Sequence, residues 1–275
     1  MLRQRVITGL VLAVVVFSAV LLLPSFWFGL AVFAVCLGGA WEWGRLCGLH
    51  ALGRRGLYVA GIAVLTALGI WLAFGAGLLW PVVIGVLWWG LVLVVLAGYD
   101  PQARTGNQAH WRRYGLVGAG VLTLVPACIA LIWLHQMQPA LVLYLIMLTA
   151  TADSAAYFAG RRFGRHKLAP RISPGKTREG LLGAMVAIVP FALLGAGYFQ
   201  IPLALWFFFI CLCLITALVS VAGDLFESVL KREAGAKDSG TLLPGHGGIL
   251  DRIDSLTAAA PVFLMGLLWG AVMAR

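Results

Sequence analysis

The apolar runs at residues 6–23 and 78–97 reach the roughly 17–25 residues that a helix needs to cross the hydrocarbon of a bilayer. Inside that layer the backbone must satisfy its own N–H and C=O groups, which a helix does within one segment. The rest of the chain has the same character. It is 62% hydrophobic and 11% charged, whereas about a quarter of the residues in soluble domains are charged. Arg3 and Arg5 precede the first run, as in a signal peptide. That run exceeds the usual 7–15 residue apolar region, however, and no small-x-small cleavage site follows it cleanly. It is expected to be a retained span.

Gly, Pro and charged clusters divide the chain into about nine apolar segments, near 6–23, 26–43, 57–75, 78–98, 115–135, 139–159, 180–199, 202–223 and 255–273. The expected fold is all-α, a polytopic transmembrane helix bundle. Residues 1–114 would hold the N-terminal spans, and 115–275 the C-terminal spans with the chemically rich loops. The basic residues set the orientation. With the N-terminus inside and nine alternating spans, the inside segments are 1–5, 44–56, 99–114, 160–179 and 224–254. Of the 20 Lys and Arg, only Arg275 falls outside, and 20 − 1 = 19 fall inside. Such an excess is the positive-inside signature.

The acids keep to the same side. Glu42, Asp100, Asp153, Glu179, Asp224, Glu227, Glu233, Asp238, Asp251 and Asp254 all sit at inner loops or inner helix ends. The outer turns are nearly featureless, so the working face is the cytoplasmic one. The net charge of +10 follows from topology signals and anion-binding groups, and no nucleic-acid partner is expected. The five cysteines lie in or beside apolar runs without CxxC spacing, as small buried hydrophobes do. No internal repeat suggests an inverted-repeat transporter.

Two inner loops hold most of the polar residues. In the second, Asp224, Glu227, Ser228 and Lys231 follow the spacing i, i+3, i+4, i+7, which places them on one helical stripe. Asp251 and Asp254 sit three apart at the start of the last span. Acids at a helix N-terminus gain about 0.3–1 kcal/mol from the macrodipole. That could account for Asp251 or Asp254, but Asp224 and Glu227 follow a span. Ionised groups so near hydrocarbon are costly and usually functional or paired. Clustered carboxylates without a His/Cys set suit Mg²⁺ rather than zinc. Lys231, Arg232, Lys237 and Arg252, interleaved with the acids, suit polyphosphate oxygens. Gly245, Gly247 and Gly248 around His246 would let backbone N–H groups approach an anion. In the first loop, Ser173-Pro-Gly-Lys176-Thr177 followed by Glu179 reads as a helix start, with Thr177 as cap and Lys176 turned toward an anion. Its glycine spacing is not that of a Walker A loop. Arg161, Arg162, Arg165 and Lys167 read as surface charges that attract anionic lipid.

The run Ser228-x-x-Lys231-Arg232-x4-Lys237-Asp238-x-Gly240-x3-Pro244-x-His246-Gly-Gly-x-x-Asp251-Arg252-x-Asp254 resembles the signature of bacterial phosphatidate cytidylyltransferases, the CDP-diacylglycerol synthases. Asp153-Ser-x-Ala-Tyr-x-x-Gly-Arg and Ser-Pro-x-Lys-Thr-x-Glu-Gly resemble the same family, in the same order. The similarity covers about residues 150–257, with the N-terminal half similar only as apolar spans. Arg178 stands where the family pattern has an aromatic or apolar residue. The resemblance implies transfer of CMP from CTP to phosphatidate with release of pyrophosphate, in phospholipid biosynthesis at the cell inner membrane, with Mg²⁺ required. It implies metal ligands among Asp224, Asp238, Asp251 and Asp254, led by Asp224 and Asp251. Lys231, Arg232, Lys237, His246 and Arg252 would hold CTP phosphates, with Glu227 and Ser228 beside them. Ser173, Lys176 and Thr177 would hold the phosphatidate head group or a CTP phosphate. Asp224, Lys231, Lys237, Asp238 and Asp251 are the expected catalytic set. The partners are the two substrates and the bilayer, and any protein partner is expected to be a second copy, as a homodimer.

The residues suit this chemistry in their own right. A phosphomonoester with second pKa about 6 is mostly ionised at neutral pH and needs no general base. The enzyme must align the substrates and neutralise charge. Another CTP-using lipid enzyme, such as a polyprenol kinase, is the nearest alternative. A transporter would need acids at mid-span and polar residues on both faces, and an assembly protein would leave the charge stripe unexplained.

Overall fold

The computed structural model describes residues 2–77, 79–99, 108–240 and 247–273. Among them are nine α-helices: α1 Leu2–Leu22, α2 Ser25–Leu46, α3 Leu52–Ile70, α4 Trp80–Ala97, α5 Gln108–Met137, α6 Pro139–Phe163, α7 Arg178–Tyr198, α8 Trp206–Glu233 and α9 Leu250–Met273. A π-helical turn, Trp71–Gly75, extends α3. Eight helices are long and apolar enough to cross a membrane, and α1 contributes the shorter apolar stretch Thr8–Leu22. The nine predicted segments correspond one to one with these helices. Of the predicted inner-loop residues, Asp100, Pro244, Gly245 and His246 lie outside the described residues.

Two departures bear on the site. Helix α8 continues to Glu233 instead of ending near 223. Hydropathy ends where the membrane ends, but backbone hydrogen bonding continues while the spacing stays helical. The second departure is a small antiparallel hairpin before α7, absent from the all-α reading. Its strands are β1 (Lys167–Ala169) and β2 (Ser173–Thr177), with Lys167 opposite Thr177 and Ala169 opposite Ser173.

Helix α5 is the central element, with 61% of its apolar window buried. The C-terminal half of α8 is pinned by aromatic groups from two other helices. Trp43 of α2 and Trp88 and Trp89 of α4 surround Phe226, with ring centroids 5.7–6.1 Å away. Their indole N–H groups donate to Leu116 O (2.8 Å), Thr123 Oγ1 (3.0 Å) and Thr257 O (3.1 Å), so each ring also has its polar end satisfied. On the other flank of α8, Val221, Leu225 and Val229 bury Ile172 from the hairpin, with Leu168 and Leu181 packed beside them. Helices α8 and α9 meet at Gly223, where a Cβ would lie 2.6 Å from Asp254 O and 2.9 Å from Ala258 Cβ. Small residues at such crossings let membrane helices approach closely.

Candidate active site

The hairpin and α7 are held by the residues of the first motif. Thr177 is the N-cap of α7, its Oγ1 accepting from Gly180 N–H at 3.1 Å, a bond of about 1 kcal/mol in typical caps. Glu179 reaches back to the turn before β1. Its carboxylate accepts from Arg165 N–H (3.1 Å) and His166 N–H (3.2 Å), and pairs with His166 Nδ1 (2.6 Å). With Ile172 buried against α8, this fastening aims β2 at the end of the α8 span. Lys176 Nζ stands 2.7 Å from Asp224 Oδ2 and 3.4 Å from Val221 O. Ser228 Oγ donates to Asp224 Oδ1 at 3.4 Å, one turn along the same helix.

Around this ion pair opens a cleft of about 490 Å³ between α6, the hairpin, α7 and α8. Asp153, Arg161, Lys167, Ser173, Lys176 and Asp224 supply its polar lining. Tyr157, Leu168, Leu181 and Val221 supply an apolar wall. A chamber with fixed cations at one end and an apolar wall along another suits an anionic head group carrying hydrocarbon.

The rest of the α8 stripe turns toward α9. Lys231 Nζ lies 2.8 Å from Asp251 Oδ1 and 3.5 Å from Glu227 Oε1. Asp251 Oδ2 accepts from Gly248 N–H (2.7 Å), Ser239 N–H (3.0 Å) and Ser239 Oγ (2.9 Å). Within the glycine cluster, the N–H of Gly248 thus meets the protein's own Asp251 carboxylate, while Gly245 and His246 lie outside the described residues. Gly247, at φ +80°, leaves no room for a Cβ beside Asp251 Oδ2. Beneath these groups, Glu227 and Asp254 line one small cavity with Gly223 and Thr257. Both Glu227 oxygens are buried and receive no hydrogen bond.

The second loop is also held from α2. Glu42, 3% exposed, accepts from Ile249 N–H (3.0 Å) through Oε1. Its Oε2 accepts from Leu250 N–H (3.0 Å) and lies 2.9 Å from Ser239 Oγ, whose single proton it shares with Asp251 Oδ2. One turn on, Arg45 donates to Ser239 O. Gly240 and Gly248 press against the Glu42 carboxylate so closely that a Cβ on either would collide with it.

The expected site residues thus fall into two linked groups. Ser173, Lys176, Thr177, Asp224 and Ser228 adjoin the cleft or its ion pair. Glu227, Lys231, Asp251 and Asp254 lie between α8 and α9. Arg232 and Arg252 are exposed on the helix ends, and Lys237 and Asp238 are exposed on the turn after α8. His246 lies outside the described residues.

The four expected metal aspartates do not form one ligand set, and no three His, Cys, Asp or Glu converge on one point among the described residues. The physical reason is that lysines intervene: Lys176 takes Asp224 and Lys231 takes Asp251. Mg²⁺ nonetheless requires only one or two protein carboxylates plus substrate phosphates. The two buried Glu227 oxygens, which accept no hydrogen bond and meet only Lys231 at 3.5 Å, lie beside Asp254 as a hard, oxygen-only donor set that fits such an ion. Residues outside the expected list also contribute. Glu42 and Arg45 carried only the signal of charge at an inner helix end, Asp153 also headed the first family-like segment, and Ser239 carried no signal beyond its place in the signature.

A profile of the cytidylyltransferase family matches residues 3–269. The chain is similar to the phosphatidate cytidylyltransferase of Pseudomonas aeruginosa, 42% identical over 273 residues and 98% of each chain. It is also similar to that of Haemophilus influenzae, 36% identical over 280 residues, covering 96% of this chain and 97% of the relative. The Bacillus subtilis phosphatidate cytidylyltransferase is 45% identical over 139 residues, about half of each chain.

Proposed function

The chain belongs to the cytidylyltransferase family, and we propose that it transfers the cytidylyl group of CTP to phosphatidate, giving CDP-diacylglycerol and pyrophosphate. The observation that carries this reading is the cleft in which Lys176 and Asp224 face an apolar wall. It offers cations to a lipid phosphate and hydrocarbon contact to the glycerol and acyl stem, at the end of a membrane span.

In this reading a phosphatidate oxygen attacks the α-phosphorus of CTP. The new P–O bond forms as the bond to the β-phosphate oxygen breaks, and the electron pair leaves with pyrophosphate. Lys176 holds a phosphate oxygen, and Ser173 and the Thr177 hydroxyl proton donate to the same group. Lys231, held in place by Asp251, presents charge to the triphosphate, with Arg232, Lys237 and Arg252 at the rim. Glu227, Asp254 and Asp224 would hold Mg²⁺, which when bound neutralises charge on the phosphates and leaving group. Positions of the Lys and Arg residues support placing this site at the cytoplasmic face of the inner membrane.

The test is direct: purified protein is given labelled CTP and phosphatidate, and the products are identified by mass. CDP-diacylglycerol with pyrophosphate is expected. CDP with a newly phosphorylated lipid would indicate a CTP-dependent kinase instead.

A further inference from the structure

An unbroken chain of polar contacts runs from α2 to the α8 stripe: Glu42 to Ser239 Oγ, Ser239 to Asp251 Oδ2, Asp251 Oδ1 to Lys231, and Lys231 to Glu227. Each step lies within 2.8–3.5 Å. Its first member lies far outside the signature region, in helix α2. Glu42 also takes the N–H groups of Ile249 and Leu250, which the first turn of α9 leaves without intrahelical acceptors. A carboxylate there opposes the positive end of the α9 dipole. Arg45 holds the carbonyl of Ser239, so the two ends of one α2 turn grip both sides of that residue.

We propose that Glu42 is a positioning residue for cytidylyl transfer. It fixes the first turn of α9 and, through Ser239, the orientation of the Asp251 carboxylate and hence of Lys231. The inference rests on the transferase reading above. The geometry explains why a carboxylate is needed and an amide would fail. Both of its oxygens accept, Oε1 from Ile249 N–H and Oε2 from Leu250 N–H, while the Ser239 hydroxyl proton is shared between Oε2 and Asp251 Oδ2. A glutamine offers only one accepting atom and turns an NH₂ group toward a donor. Gly240 and Gly248 are already in contact, so the side chain has no second pose. Ser239 has no role as nucleophile in this arrangement, because its hydroxyl is occupied by Glu42 and Asp251.

Glu42→Gln, Ser239→Ala and the double variant test the device. Each single change is expected to lower kcat roughly 10–100-fold, the usual cost of losing an outer-shell partner. KM for phosphatidate should move less than about threefold, because neither residue lines the cleft. The double variant should be no worse than the poorer single, since both cut the same chain. Turnover of either single variant within about threefold of wild type, or losses that multiply in the double, would overturn the inference. Hydrogen exchange across residues 247–252 reads the same device without substrate. Faster exchange is expected in both single variants, and unchanged exchange would equally overturn it. If Glu42→Gln does not fold, Ser239→Ala, which deletes one hydroxyl, carries both measurements. A wild-type protein that makes no CDP-lipid would sink the transferase reading instead, and the exchange measurement would still decide whether Glu42 sets the α9 start.

Discussion

Lys176 Nζ stands 2.7 Å from Asp224 Oδ2, and this ion pair joins the two polar loops that carry the family signature. Its partners are 22% and 32% exposed at their side chains, so the pair adds little to stability, in the range of about 0–1 kcal/mol for such contacts. Its importance lies in placement. Lys176→Met is expected to leave thermal unfolding nearly unchanged and to lower kcat by roughly 10²–10³, the usual cost of removing one preorganised charge-stabilising donor. Asp224→Asn should behave in the same way. Turnover of Lys176→Met within tenfold of wild type would remove Lys176 from the reaction.

Asp251 is predicted to behave differently from Asp224. It is only 10% exposed at its side chain and meets Lys231 and three donors of the 239–248 segment. Asp251→Asn removes the nearer counter-charge of the largely buried Lys231 ammonium and leaves it only Glu227 at 3.5 Å. It should therefore cost about 3 kcal/mol of stability as well as nearly all activity. Calorimetry in detergent, beside the product assay, separates the two aspartates. Equal unfolding temperatures for Asp224→Asn and Asp251→Asn would contradict the assignment.

A requirement for Mg²⁺ is expected, with chelation abolishing product formation. Glu227→Gln and Asp254→Asn should raise the Mg²⁺ concentration for half-maximal rate roughly 10–100-fold. Titrating Mg²⁺ at fixed CTP checks this, and unshifted curves for both variants would move the ion elsewhere.

Gly223→Ala is a stability test of the α8–α9 crossing. The new methyl group would sit 2.6 Å from Asp254 O, a backbone atom that cannot swing away. The expected cost is about 1–3 kcal/mol from overpacking, seen as a lower unfolding temperature. An unchanged temperature would show that the helices separate without penalty.

Turnover should be a single displacement. Ser239 is fully buried and cannot reach a phosphorus, and Ser228, hydrogen-bonded to Asp224, has only a weakly basic carboxylate beside it, which leaves its hydroxyl a poor nucleophile. CTP with a chiral thiophosphate at the α position should give inverted product. Net retention, or exchange of pyrophosphate into CTP without phosphatidate, would reveal a cytidylyl-enzyme.

Much of this protein is legible in its sequence because a bilayer imposes a one-dimensional code. A span needs a certain length of apolar residues, and a loop's charge sets its side, so nine segments and the blank outer turns follow without any pairwise contact. Helical spacing likewise determines that Asp224, Glu227, Ser228 and Lys231 share a stripe, because residues three and four apart lie on one face. What that stripe meets is a tertiary matter. Spacing cannot reveal that Lys176 arrives at Asp224 from a hairpin buried against α8, or that Lys231 turns away to Asp251. Nor can it reveal that Glu42, in a helix with no motif, reaches Ser239 and the start of α9. Those pairings form only when helices pack. A charge near hydrocarbon must find its counter-charge or donors in three dimensions, and the nearest such group is rarely the nearest in sequence.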